Sequence, residues 1–135
     1  MEARRQAVLY DRDCGFCRWS LAKLLAWDRH GRLRPLALQD PEAERLLAGM
    51  DERRRMTSWH LVTPEGKVRS AGAGLASLLR ALPGGAPLAA LAERAPRLAE
   101  RAYRFVASRR GTLGRLVTDG AKRRADRRIA ARNPG

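Results

Sequence analysis

The apolar positions of this chain change period several times, and each change marks an element. Ala7-Val8-Leu9-Tyr10 is a short continuous apolar run bounded by polar residues, the pattern of a buried strand. Leu21, Leu24, Leu25 and Trp27 then recur at near-helical spacing. They predict a helix from about Cys14 to Arg29, closed by His30-Gly31, where glycine takes the left-handed cap conformation. Trp19 and Trp27 read as packing residues of that helix, with Arg18, Lys23 and Arg29 toward solvent. Leu33 to Leu38 alternates weakly and predicts a second strand, parallel to the first if the helix is a crossover. Pro35 has no N–H to give to a ladder, which confines this strand to an edge, or the proline to the strand's beginning.

Asp40-Pro41-Glu42-Ala43-Glu44 is a helix start, with an N-cap, a proline at the first helical position and acids on the positive dipole end. The helix it opens is short and ends near Gly49, and Asp51 to Arg55 reads as a charged connection. Ser58 to Thr63 and Lys67 to Ser70 flank Pro64-Glu65-Gly66, a hairpin pattern. A small-residue turn, Ala71-Gly72-Ala73-Gly74, leads into a helix from about Leu75 to Leu82. Pro83-Gly84-Gly85-Ala86-Pro87 punctuates, and helices are predicted at Leu88 to Arg94 and Arg97 to Ser108. Leu98, Ala102, Phe105 and Val106 share one side of the last helix, so Tyr103, Phe105 and Val106 read as core.

The chain has two cysteines, Cys14 and Cys17, in Asp11-Arg12-Asp13-Cys14-Gly15-Phe16-Cys17, where the first strand hands over to the first helix. A helix start offers unpaired N–H groups and a positive dipole end, both of which favour a thiolate. A Cys-x-x-Cys in that position reads as a redox pair, Cys14 attacking and Cys17 resolving. Arg12 and Arg18 would assist the Cys14 thiolate, and Asp11 and Asp13 would oppose it; Asp11 is placed to relay the proton of Cys17. Strand, dithiol, helix, strand, helix, hairpin and helix is the order of an α/β, thioredoxin-like fold, a βαβ unit joined to a ββα unit, here with extra C-terminal helices.

At 135 residues the chain fits one domain with a real core. No stretch reaches the roughly 20 apolar residues of a membrane span. The charged N-terminus is followed by too short an apolar run for a signal peptide, so a cytoplasmic protein is expected. There a cysteine pair is catalytic or metal-binding before it is structural. Zinc wants four ligands, and only His30 and His60 are available to complete the pair, away from zinc-finger spacing, so neither a metal nor another cofactor is expected. The formal net charge is +14, nearly all of it arginine. From Arg109 onward nine arginines or lysines face only Asp119 and Asp126. The stretch 111–135 has room for a helix near Ala121 to Ala131, but with little apolar surface to dock it the stretch reads as a basic, mobile tail beyond a 6–110 domain. Such a tail attracts nucleic acid or anionic surfaces without specificity, and it lacks the aromatic interleaving of single-strand binders. A nucleic-acid or acidic-partner module, or a metal-binding Cys-x-x-Cys protein, are the alternatives to a redox protein.

Tyr10-Asp11-x-x-Cys14-x-x-Cys17-Arg18, Trp59-His60-Leu61-Val62, Gly66-Lys67-Val68, Ala71-Gly72-Ala73 and Tyr103-Arg104-x-x-Ala107-x-x-Arg110 together resemble the DCC family of thiol-disulfide oxidoreductases, a thioredoxin-like branch. The resemblance covers about residues 6 to 110. It implies Cys14, Cys17 and Asp11 as the redox site, with Gly15, Phe16, Thr57, Ser58 and Trp59 lining a substrate groove. It also implies a disulfide-containing protein or small thiol, and a reductant, as partners. Trp59 reads equally as a core residue. Two departures stand out: Arg12 replaces the family's usual glycine, and Met56-Thr57-Ser58-Trp59 holds no proline where thioredoxins proper carry a cis-proline that shapes the groove and keeps metal off the thiols.

Overall fold

A computed structural model describes residues 5–57 and 59–132. Strands β1 (Gln6–Tyr10), β2 (Leu33–Ala37), β3 (His60–Val62) and β4 (Val68–Ser70) form one mixed sheet in the order β2-β1-β3-β4. β1 pairs parallel with β2, Val8 opposite Pro35, and antiparallel with β3, Val8 opposite Leu61; β3 and β4 form the hairpin. Pro35 thus sits on an edge strand, where its missing N–H costs no ladder bond. The parallel pair is bridged by α1 (Gly15–Trp27). This mixed sheet flanked by helices is the thioredoxin-like α/β arrangement.

The middle of β1, Ala7-Val8-Leu9, is apolar because both faces of the strand are covered there. Val8 and Leu61 point to one side, against Leu21 and Leu25 of α1 and Leu78 and Leu82 of and beside α4 (Ala71–Ala81). Ala7, Leu9 and Val62 point to the other, against Leu36, Leu38, Ala43 and Leu47, the last two in and after α2 (Pro41–Leu46). Alternate residues of a strand face opposite ways, and each buried leucine contributes roughly 1.5–3 kcal/mol of transfer free energy.

Four expectations are corrected. Asp51 to Arg55 is not a mere connection: Asp51 Oδ1 accepts the Arg54 N–H at 2.7 Å and so caps α3 (Glu52–Thr57). The small residues at 71–74 are not a turn but the first turn of α4. A Cβ on Gly72 would lie 2.7 Å from the Glu100 Cα, and one on Gly74 3.2 Å from the Trp59 ring, so glycine serves close approach here. After α5 (Ala86–Arg94), the buried face of α6 (Pro96–Ser108) runs through Ala99 and half-buried Tyr103 toward α4, leaving Phe105 60% and Leu98 64% exposed. The apolar count chose the wrong stripe, because small alanines made the true contact. Val106, also read as core, is 41% exposed.

The fourth correction is the tail. Residues 110–116 form α7 and residues 119–132 form α8. α8 lies along α1 and buries Ala125 and Ile129, one turn apart. Asp126 faces Arg18 of α1 at 3.6 Å. Arg132 reaches the buried Asp28 with Nη1 2.6 Å from Oδ2, and its guanidinium also donates to the carbonyls of Leu25, Asp28 and Leu33. Two apolar residues and one buried ion pair dock a helix whose composition reads as a solvated tail. No helix among the described residues is long and apolar enough to cross a membrane.

Candidate active site

β1 ends at Tyr10, and the chain turns through Asp11-Arg12-Asp13 into α1. The Cys14 N–H donates to the Asp11 carbonyl at 3.1 Å, which closes the turn. Cys14 is the N-cap of α1, in extended backbone, and its Sγ accepts the N–H of Cys17 at 3.2 Å. The sulfur therefore occupies the place of a capping oxygen, aimed at donors with no partner inside the helix. Gln39, two residues past β2, braces the loop. Its Nε2 donates to Asp11 Oδ1 at 2.9 Å and to Asp13 Oδ2 at 3.4 Å, while its Oε1 accepts the Arg12 N–H at 3.1 Å. Sequence reasoning missed Gln39. Its signal is position: it is a polar residue just beyond the end of a strand parallel to β1, the end where the dithiol loop lies.

The two thiols meet different surroundings. Cys17 lines a cavity of about 250 Å³ whose walls include Leu24, Leu78, Trp59, Tyr103 and Phe16. Burial there pushes its thiol up to about 12, and the hydrogen bond with Cys14 and the charge of Cys14 push the same way; Arg110 opposes the rise and Asp11 adds to it. Cys14 lines a surface hollow of about 430 Å³ with Asp11, Asp13, Gly15, Arg110, Arg115 and Lys122. Asp11 and Arg110 border both spaces. Lys122 of α8 presses on Gly15 so closely that a Cβ there would lie 2.7 Å from its Cε. Gly114 of α7 lies over Phe16, where a Cβ would be 3.5 Å from the Phe16 nitrogen. Arg110, Arg115 and Lys122 all come from the stretch read as the last helix's end and the tail, and nothing in their spacing marks them as neighbours of Cys14.

Of the residues singled out from sequence, Asp11, Cys14, Gly15, Phe16, Cys17 and Trp59 come together around the dithiol. Trp59 both borders the cavity and packs against the core, and its N–H donates to the Tyr103 hydroxyl at 3.2 Å. Thr57 ends α3, and Ser58 lies outside the described residues. Arg12 is exposed and Arg18 is turned to Asp126. His60 is buried on the opposite face of the sheet, on the side of Val62. Its Nε2 donates to the Arg55 carbonyl at 2.9 Å and its Nδ1 lies 2.6 Å from Ser70 Oγ, so both ring nitrogens are engaged. Burial holds His60 below the usual histidine range. His30 is exposed at the end of α1. Among the described residues no three His, Cys, Asp or Glu side chains are grouped to hold a metal ion.

A family model described as DCC1-like thiol-disulfide oxidoreductase matches residues 8–116, from β1 through α7. No curated protein and no solved structure matches the chain. The matched span contains the dithiol loop, the hairpin and α6, and the family's description supports a redox role for the cysteine pair. This chain belongs to the DCC1-like thiol-disulfide oxidoreductase family.

Proposed function

We propose that this protein is a thiol-disulfide oxidoreductase working through Cys14 and Cys17. The observation that carries the reading is the inequality of the two thiols: Cys14 caps α1 beside an open hollow, and Cys17 stands one turn in, its thiol held protonated by burial. The Cys14 thiolate attacks one sulfur of a substrate disulfide, forming a mixed disulfide and releasing the first substrate thiolate, which takes a proton from solvent. Cys17 then gives up its proton and attacks the Cys14 sulfur, releasing the second substrate thiolate. The dithiol has lost two electrons and two protons, and the substrate disulfide has gained both.

Asp11, on the border between the two spaces, is the acceptor we assign for the Cys17 proton. One of its oxygens accepts from Gln39 and from the Asp13 N–H, which fixes the carboxylate at that border. Gly15, Phe16 and Trp59 are assigned to the substrate groove, with Thr57 and Ser58 continuing it from sequence. A disulfide-containing protein or small thiol is the substrate class, and a thiol reductant closes the cycle. A cytoplasmic setting suits this, because its reduced thiol pool regenerates the dithiol.

Redox titration of the full chain, together with Cys14→Ser and Cys17→Ser variants, tests the reading. A reversible two-electron couple within the biological range of roughly −120 to −300 mV is expected. Cys17→Ser should trap a mixed disulfide on Cys14, and Cys14→Ser should abolish exchange. A pair that does not cycle, or a Cys14→Ser chain that still exchanges, ends the proposal.

A further inference from the structure

The hollow at Cys14 is built by the part of the chain that composition assigns to solvent. Arg110 and Lys122 are half-buried there and Arg115 is exposed at its rim. None of the three makes an ion pair among the described residues, although other cations of the chain do. Asp11 and Asp13 share the hollow and accept from the neutral amide of Gln39, so its three cations outnumber its carboxylates by one. An excess of cationic side chains raises the local potential, and a concave site focuses it. Cys14, the attacking thiol of the exchange, lines the same hollow.

We infer that the hollow selects small disulfides that carry carboxylates, with Arg110, Arg115 and Lys122 receiving the carboxylates while a substrate sulfur meets Cys14. This rests on the exchange reading and names its substrate class. The volume of about 430 Å³ is in the range of small-molecule sites and suits a compact disulfide. The step is the one already balanced: the anionic disulfide is reduced to two thiols as Cys14 and Cys17 become a disulfide.

The test follows oxidation of the reduced full chain by three probes: oxidised glutathione, which is anionic, hydroxyethyl disulfide, which is neutral, and cystamine, which is cationic. Each rate constant is divided by that of the same probe with free dithiothreitol, so that intrinsic reactivity cancels. The anionic-to-neutral ratio should exceed one by about tenfold at low ionic strength and fall as salt is added. Arg115→Gln and Lys122→Gln should each lower it several-fold, and Lys122→Arg should restore it. Arg115 is exposed, so its substitution does not threaten the fold. Because each ratio is taken within one variant, a changed Cys14 reactivity does not move it.

A ratio near one, a preference for cystamine, or ratios unmoved by either glutamine variant overturns the inference and leaves the exchange reading standing. Failure of all three probes to oxidise a dithiol that still alkylates at Cys14 overturns both.

Discussion

Around Cys14 the chain gathers cations from α7 and α8; around Cys17 it gathers apolar side chains from β1, α1, α4 and α6. The sulfurs are one helical turn apart, yet one sits in a charged hollow open to water and the other in a largely apolar cavity. A thiol pair needs this inequality. Attack wants a thiolate that a substrate can reach, whereas resolution must wait until the mixed disulfide has formed, and a protonated thiol waits. The same difference divides the work of the fold. The cavity belongs to the sheet and the helices that cover it, and the hollow depends on helices added after them.

The two thiols should differ most in reactivity. In a Cys14→Ser chain at pH 8, Cys17 should alkylate with iodoacetamide at least about a hundredfold more slowly than a free cysteine, because burial keeps it protonated. Equal rates would mean that the two sides do not differ. The same displacement has a stability consequence. The folded chain holds the Cys17 proton from the ordinary value near 9.0 up to about 12, whereas the unfolded chain loses it first. Stability of the reduced protein is therefore complete below about pH 9 and declines as pH rises toward 12. Tyr10 is displaced upward by burial as well, so the measurement is the difference between the native chain and Cys17→Ala in thermal melts across that window.

Next in size is the latch that holds α8. Arg132→Ala leaves Asp28 buried with, among the described residues, the Arg32 and Leu33 N–H groups as its remaining side-chain partners. Loss of one side of a buried ion pair should cost about 3 kcal/mol in urea unfolding. In the folded fraction, loosened α8 should withdraw Lys122 and lower the anionic-to-neutral ratio at Cys14. Affinity for an apolar fluorescent probe in the cavity should hold, since no α8 residue lines it. A smaller change sharpens the other side. Trp59→Ala removes a ring from the cavity wall and should weaken that probe's binding about five- to tenfold, the equivalent of a partly buried aromatic face. The anionic-to-neutral ratio is set elsewhere and should not follow.

The sequence was most readable where each residue's neighbours were close along the chain. The Asp40-Pro41 cap, the Pro64-Gly66 turn and the dithiol at the β1–α1 junction are local signals, and all appear where the pattern puts them. Helix α6 was legible as a helix but its inner face was not, because Ala99 is a weak apolar signal beside Leu98 and Phe105. Docking of α8 was illegible for a related reason. It depends on Arg132 finding Asp28, 104 residues away, and on Ala125 and Ile129 fitting α1. Charge counting assigns such a helix to solvent, yet its lysine and an arginine are turned inward at the two places that matter, Gly15 and Asp28. The dithiol was therefore visible as chemistry, and its cationic surroundings were not.

Gly15 is the finest place to separate the two sides. It lies between the cysteines and has an ordinary helical backbone, so alanine there is not excluded by conformation and has the better helix propensity. What a Cβ meets is Lys122, 2.7 Å away at Cε and 3.2 Å at Nζ, both at the end of a flexible side chain. Lysine can swing aside at little cost, so Gly15→Ala should change stability by less than about 1 kcal/mol. The cation would nevertheless leave its place beside Cys14. The anionic-to-neutral ratio should drop about two- to threefold, the loss of one charge among three, and the slow alkylation of Cys17 should persist when the change is placed in the Cys14→Ser chain. A large loss of stability would show that Lys122 is fixed by packing. An unchanged ratio would show that its charge does not reach the sulfur, and the hollow would then rest on Arg110 and Arg115.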